Sequence, residues 1–228
     1  MSSIIIIGKG PSLLRCTKDF VDKHDDIAIC GFPPLVSDFL KLVRNSKIKY
    51  HFCNCGDPHL KKNRELLYDD RINNHFNIEE IYDIGAGKDN YIRRLKNKSI
   101  YKENLKKKYL TEFITNHGFN EHGPSGGIYG LHHIINTKKY NKISLVGFDN
   151  FQKDKQRYFF PVKDYNPSLL YLIGRDITHD NINIIKSLHD STKTKEYMIK
   201  QFNEKKNIDF KLYSNINFDD TFDNVIIY

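Results

Sequence analysis

Four consecutive isoleucines, Ile4 to Ile7, run directly into a glycine-rich turn in the stretch IIIIGKGPSLL. A β-branched run of this kind is apolar on both faces of an extended chain, and four residues are too few for a buried helix. Such a strand belongs inside a mostly parallel sheet, where both faces are covered. The turn then limits how the chain can continue. Gly8 and Gly10 allow positive φ or close approach to a ligand, Pro11 suits the first turn of a helix, and Ser12 can bind local amides. The stretch predicts a strand-to-helix corner whose amides either face an anion or serve only the fold. Gly-Lys-Gly-Pro is neither a dinucleotide fingerprint nor a Walker sequence.

The same alternation continues downstream. Ile27 to Cys30 reads as a strand, and PPLVSDFLKLVRNS as a helix with Leu35, Phe39, Leu42 and Val43 on one stripe. IKYHFCNCGD reads as a strand ending near Asn54, PHLKKNRELLYDD as a helix and IEEIYDIG as a weaker strand. This order predicts an α/β fold: a single Rossmann-like, doubly wound, mostly parallel sheet with helices on both faces and a ligand crevice at the carboxyl ends of its strands. Lys88 to about Asn116 reads as basic and helix-rich. A glycine turn then precedes a helix from about Gly127 to Asn136, and a strand over Lys142 to Val146 ends at Gly147-Phe148-Asp149.

Between Asn150 and Thr178 the periodicity breaks. A loop of that length inside a compact domain is usually functional, so the segment at about 150–178 is expected to be a lid within one domain spanning 1–228. HDNINIIKSLHDSTKTKEYMIKQF resumes as helix, IDFKLYS is a last core strand, and DNVIIY adds an edge.

The chain's 15 Phe and 14 Tyr can fill a core, and no apolar run approaches the ~20 residues that cross a bilayer. With no signal-peptide pattern, the expected location is the cytoplasm. Peripheral membrane contact and homo-oligomerisation stay open. Cys16, Cys30, Cys53 and Cys55 do not have zinc-site spacing, so free thiols and no metal ligands are expected. The net charge of +8 suits phosphorylated or polyanionic partners. Much of it sits in RRLKNKSIYKENLKKK, which a solvated helix face explains equally well, and no nucleic-acid motif accompanies it.

Five motifs in order resemble the CMP-sialic acid-dependent sialyltransferases of the bacterial lipooligosaccharide type and, in fewer motifs, those of animals. They are IIIIGKGPSLL, YHFCNCG, GPSGGIYGLHHII, ISLVGFD and THDNINIIKSL, and they cover most of the chain. The resemblance implies a metal-independent, inverting glycosyltransferase that moves sialic acid or a related acidic sugar from a CMP-sugar donor to a glycan or glycolipid hydroxyl, with no cofactor. It implies His179 as general base and Tyr158 as donor of a hydrogen bond to the leaving phosphate. It places Gly8, Gly10, Pro11, Ser12, Asn54, Ser125, Gly126, Gly127 and Asp149 at the donor. Tyr165, Tyr171 and Arg175, none at a matching family position, are candidate substitutes for a second lid group at the leaving phosphate, Arg175 with more charge.

The sequence departs from the family at several points. Phe151 stands where the family has a first lid tyrosine, Lys9 and Gly31 each replace an asparagine, and His122 stands near an expected arginine. The motif HDNIN lacks the acid that comes a few residues after the late histidine in the animal enzymes. The alternatives are a glycosyltransferase using another nucleotide sugar, or a non-catalytic nucleotide- or glycan-binding relative.

Overall fold

A computed structural model of the chain describes residues 2–31, 37–43, 45–53, 76–85, 98–149 and 190–228. Its strands are β1 (Ser3–Ile7), β2 (Asp26–Cys30), β3 (Lys47–Cys53), β4 (Asn77–Asp83), β5 (Tyr101–Asn104), β6 (Lys142–Val146), β7 (Asp209–Tyr213) and β8 (Val225–Ile227). They form one eight-stranded sheet in the order β5-β4-β3-β2-β1-β6-β7-β8, and every neighbouring pair is parallel. β1 has a partner on either side, and Ile4, Ile5, Ile6 and Ile7 are all 0% exposed. The isoleucine run is apolar throughout because neither face of this strand meets water.

The chain steps outward from β1 to β5, returns to the other side of β1 as β6, and steps outward again to β8. Crossovers between parallel strands are right-handed, so these two directions send their helices to opposite faces. The first direction carries α1 (Lys18–Val21) and α2 (Ser37–Val43). The second carries α3 (Leu105–His117), α4 (Gly126–Thr137) and α5 (Ser191–Glu204). Ile4, Ile6 and Phe52 accordingly share one apolar cluster with Phe113 of α3, Leu131 of α4 and Met198 of α5. Val21 of α1 and Phe39 and Val43 of α2 are buried outside that cluster.

Two elements differ from expectation. The basic stretch before α3 contains β5, a four-residue edge strand with an irregular register against β4, too short to show a period in sequence. Asn104 then caps α3 by accepting the Lys107 N–H at 2.8 Å, which is why strand gives way to helix there. Of the stretch read as helix from His179, residues 179–189 lie outside the described residues, and the described helix starts at Ser191. The carboxylate of Asp190 accepts the Lys193 N–H at 2.9 Å and sets that boundary.

Cys16 and Cys30 are free and buried, Cys53 is buried at the end of β3, and burial pushes the Cys30 thiol up to about 12. Cys55 lies outside the described residues. Among the described residues no helix is long and apolar enough to cross a membrane.

Candidate functional site

β1 and β6 lie side by side, yet the chain leaves them toward opposite edges. In open α/β sheets a crevice forms at the carboxyl ends of such a pair. Here it is lined by Gly8, Lys9 and Gly10 after β1, Gly31 after β2, Ser125, Gly126 and Gly127 at the start of α4, and Phe148 and Asp149 after β6. Thr194 and Met198 of α5, one helical turn apart, complete the wall. Six of the residues expected at the donor, Gly8, Gly10, Ser125, Gly126, Gly127 and Asp149, therefore meet in one cleft. Pro11 and Ser12 start the short 3-10 turn behind it. Asn54, Tyr158, Arg175, His179 and the 150–178 segment lie outside the described residues.

The glycine corner after β1 spends its amides on its neighbours. The Gly8 N–H donates to the Val146 carbonyl at 2.7 Å and the Gly10 N–H to the Gly147 carbonyl at 3.0 Å. The Ser12 N–H donates to Asp149 Oδ2 at 2.8 Å. The Ser12 hydroxyl donates to the Tyr213 carbonyl at 2.7 Å and accepts the Gly147 N–H at 3.2 Å. The corner thus sutures β1 to β6 and β7. Of the two readings open in sequence, the described hydrogen bonds at Gly8, Gly10 and Ser12 serve the fold.

Asp149 is nearly buried and accepts a second amide, that of Asn215, at 2.7 Å. Its carboxylate offers about four lone-pair positions and these two bonds fill half of them, leaving acceptor capacity for a ligand hydroxyl.

Close packing explains the glycines. A Cβ on Gly8 would lie 2.6 Å from the Gly147 carbonyl oxygen. One on Gly10 would lie 2.8 Å from the same oxygen and collide with the Asp149 carboxylate. Gly10→Ala is therefore expected to destabilise the fold by about 2 kcal/mol, since overpacking a well-packed site typically costs 1–3 kcal/mol. Urea unfolding of parent and variant measures this, and a difference under about 0.5 kcal/mol, the range of an ordinary surface change, would contradict the suture.

The opposite wall is free to bind. Ser125 occupies the N-cap of α4, but its hydroxyl makes no capping hydrogen bond. The Ser125 carbonyl accepts the Ile128 and Tyr129 amides at 3.0 and 3.2 Å. The Gly126 and Gly127 amides have no hydrogen-bond partner among the described residues. Orphan amides at a helix start carry partial positive charge and suit an anion. These glycines are also packing requirements. A Cβ on Gly126 would collide with the Ile84 side chain, and one on Gly127 would lie 2.8 Å from the Phe148 ring.

Lys9 adds a full charge to this polarity. Its Nζ would stand 2.9 Å from a Cβ placed on Gly31, whose φ of +68° already favours glycine. The two departures noted separately in the sequence thus form one spatial pair, with the lysine chain running through space that a side chain at position 31 would need. Beneath them His51 is fully buried, with Nε2 2.8 Å from the Gly31 carbonyl. Burial, with a smaller contribution from the Lys9 charge, holds its pKa at about 4. His122 does not line the cleft, and its side chain is half exposed. His132 is buried between helices, and His133 is buried between α4 and the sheet, against Tyr82 and Phe52.

The cleft combines an ammonium, two orphan amides and a hydroxyl with a carboxylate that can accept hydroxyl hydrogen bonds. No family model matches the sequence, and no curated protein matches it. Among solved structures, a variant of the sialyltransferase CST-II in complex with CMP aligns at TM-score 0.60 and 17% identity, over 100% of this chain and 95% of that one. A variant of the alpha-2,3/8-sialyltransferase CstII aligns at TM-score 0.52 and 18% identity, over 93% of this chain and 81% of that one. At such identities the likeness is one of fold, and the chain has the sialyltransferase fold expected from its five motifs.

Proposed function

We propose that the protein is a glycosyltransferase that moves sialic acid, or a closely related acidic sugar, from a CMP-sugar donor to a glycan hydroxyl. The observation that carries this reading is the uncapped start of α4, where the Ser125 hydroxyl and the Gly126 and Gly127 amides open onto the cleft at the switch point. A sialic acid carboxylate or a nucleotide phosphate has the charge such a helix start attracts. Asp149 would take a ribose hydroxyl on the facing wall, and Lys9 would add charge for the anionic donor.

In the proposed reaction the acceptor oxygen forms a bond to the anomeric carbon as the bond to the CMP phosphate oxygen breaks, through an oxocarbenium-like transition state, with inversion. His179 takes the acceptor's proton, and Tyr158 donates a hydrogen bond to the departing phosphate. A monophosphate donor has no diphosphate for a metal ion to bridge, so the chemistry needs none. A second reading, a nucleotide- or glycan-binding relative without turnover, is favoured by Phe151, which has no hydroxyl where the resembling enzymes carry a lid tyrosine.

Calorimetry with CMP, CDP, UMP, AMP and GMP, followed by turnover of CMP-sialic acid with glycan acceptors, tests both. Cytidine nucleotides should bind in preference to the others, and sugar should transfer. Equal binding of all five would remove the cytidine assignment, and CMP binding without turnover would favour the second reading. Hydrogen exchange over 150–178 should slow when CMP binds, because a hydrolysable donor must be shielded from water. Unchanged exchange there would argue against a lid.

A further inference from the structure

Away from the cleft, between α3, α4 and α5, three side chains bring potential ligand atoms within 4.8 Å of one another: Glu112, His117 and His132. His132 Nε2 stands 3.4 Å from Glu112 Oε2. A tetrahedral zinc ion with arms of 2.0–2.1 Å has edges of about 3.4 Å, so this pair already has the spacing of two ligands. His117, at the end of α3, needs a side-chain adjustment of at most about 1.4 Å to close the third corner, given the 4.8 Å limit.

The independent indication is at His132 itself. Its side chain is only 6% exposed, and Nε2 makes no hydrogen bond of good geometry, its polar neighbour being the Glu112 carboxylate at 3.4 Å. A buried nitrogen left unpaired costs about 1–3 kcal/mol, and that cost calls for a partner. Its other nitrogen, Nδ1, is held 2.9 Å from the Tyr197 hydroxyl on α5. A proton on Nδ1 donated to the phenol oxygen leaves the Nε2 lone pair directed at Glu112 and His117, which is how an outer partner orients a ligating imidazole.

We infer that Glu112, His117 and His132 form a binding site for one divalent transition-metal ion of the zinc class, with Tyr197 as the positioning residue. Two imidazoles and a carboxylate suit zinc better than magnesium or calcium, which prefer oxygen. Glu112 is 40% exposed on its side chain, leaving room for water at a fourth position. Burial holds both imidazoles below their usual pKa, favouring the neutral form that ligates. Lys200 bears on the His117 ring and Lys205 on that of His132, and the negative charge that favours a cation comes from Glu112 at both rings and from Glu204 at His117. His132 lies six residues along α4 from Gly126, about 9 Å by helical rise, so the ion would tie helices together and take no part in sugar transfer.

The test strips the full chain with a chelator and titrates zinc against a chromophoric competitor, with cobalt as a spectroscopic stand-in. One equivalent should bind with a tetrahedral nitrogen and oxygen cobalt spectrum, and metal should raise the melting temperature. Tyr197→Phe should weaken uptake roughly 10- to 100-fold, as outer-partner losses do, and His117→Gln and Glu112→Gln at least as much. His117 and Glu112 are only partly buried, so both variants should fold without metal. No stoichiometric uptake, undiminished uptake in the variants, or a sulfur-to-cobalt band placing the ion at the cysteines would each overturn the assignment.

Discussion

His179→Ala is expected to lower sugar transfer roughly 100- to 10,000-fold, the usual range for losing a general base, while CMP still binds. An unperturbed imidazole has a pKa near ~6.5, so at neutral pH it is mostly uncharged and able to accept the proton of an attacking hydroxyl. In the proposed reaction the donor's groups would meet the Ser125 to Gly127 wall and Asp149, and the base would act on the acceptor. The substitution should therefore lower kcat and leave nucleotide affinity close to that of the parent. His24→Gln serves as a control. His24 lies just before β2, where its ring meets Ser144 of β6, and it does not line the cleft. It should transfer sugar at the parent rate. Parent-like turnover in His179→Ala would remove the base assignment, and joint loss of CMP binding would reassign the residue to the donor.

The second large effect concerns acid. His51 is neutral in the fold down to about pH 4, because burial disfavours its charged form and the ammonium of Lys9 adds repulsion. In the unfolded chain the same imidazole takes up a proton near ~6.5. Between these values the unfolded state binds more protons, so stability must fall as pH falls from about 6.5 to 4 and then level off with respect to this group. A pKa drop of that size corresponds to about 3 kcal/mol. Urea unfolding at pH 7 and pH 4.5 should show most of that loss, and His51→Asn, which cannot titrate, should remove it from the pH dependence. Proton resonances of His51 that titrate near pH 6.5 in the folded chain would refute this account.

Much of the fold is legible in the sequence because long-range order rests on local signals. The four isoleucines demand two covered faces. The strand at Lys142 to Val146 and the helix beginning near Gly127 follow from period and punctuation. β5 is not legible, since four residues on an edge carry no period, and neither is the cap at Asp190, which lies inside a continuous helical pattern. At the site, sequence identifies the glycine corners but not which of them has spare amides. That depends on the register of β1 against β6, which consumes the Gly8 and Gly10 N–H groups and leaves those of Gly126 and Gly127. The Lys9 and Gly31 pairing and the Glu112, His117 and His132 cluster are equally hidden, because each joins residues from different elements.

The pairing of β1 with β6 also sets an order in time. Ile4 lies opposite Ile143, so this central contact closes a loop of more than 130 residues. β1 to β4 pair with strands close in sequence and can associate while the chain is still being synthesised, whereas contacts of such separation are slow to form. Until β6 emerges and docks, Gly8 and Gly10 have no partner strand and β1 shows an open edge, the kind of surface on which nascent chains aggregate. The cleft between these strands is thus a late product of folding. Substitutions that weaken the β1 and β6 suture should lower the yield of soluble protein at synthesis more than they lower the activity of the molecules that complete it.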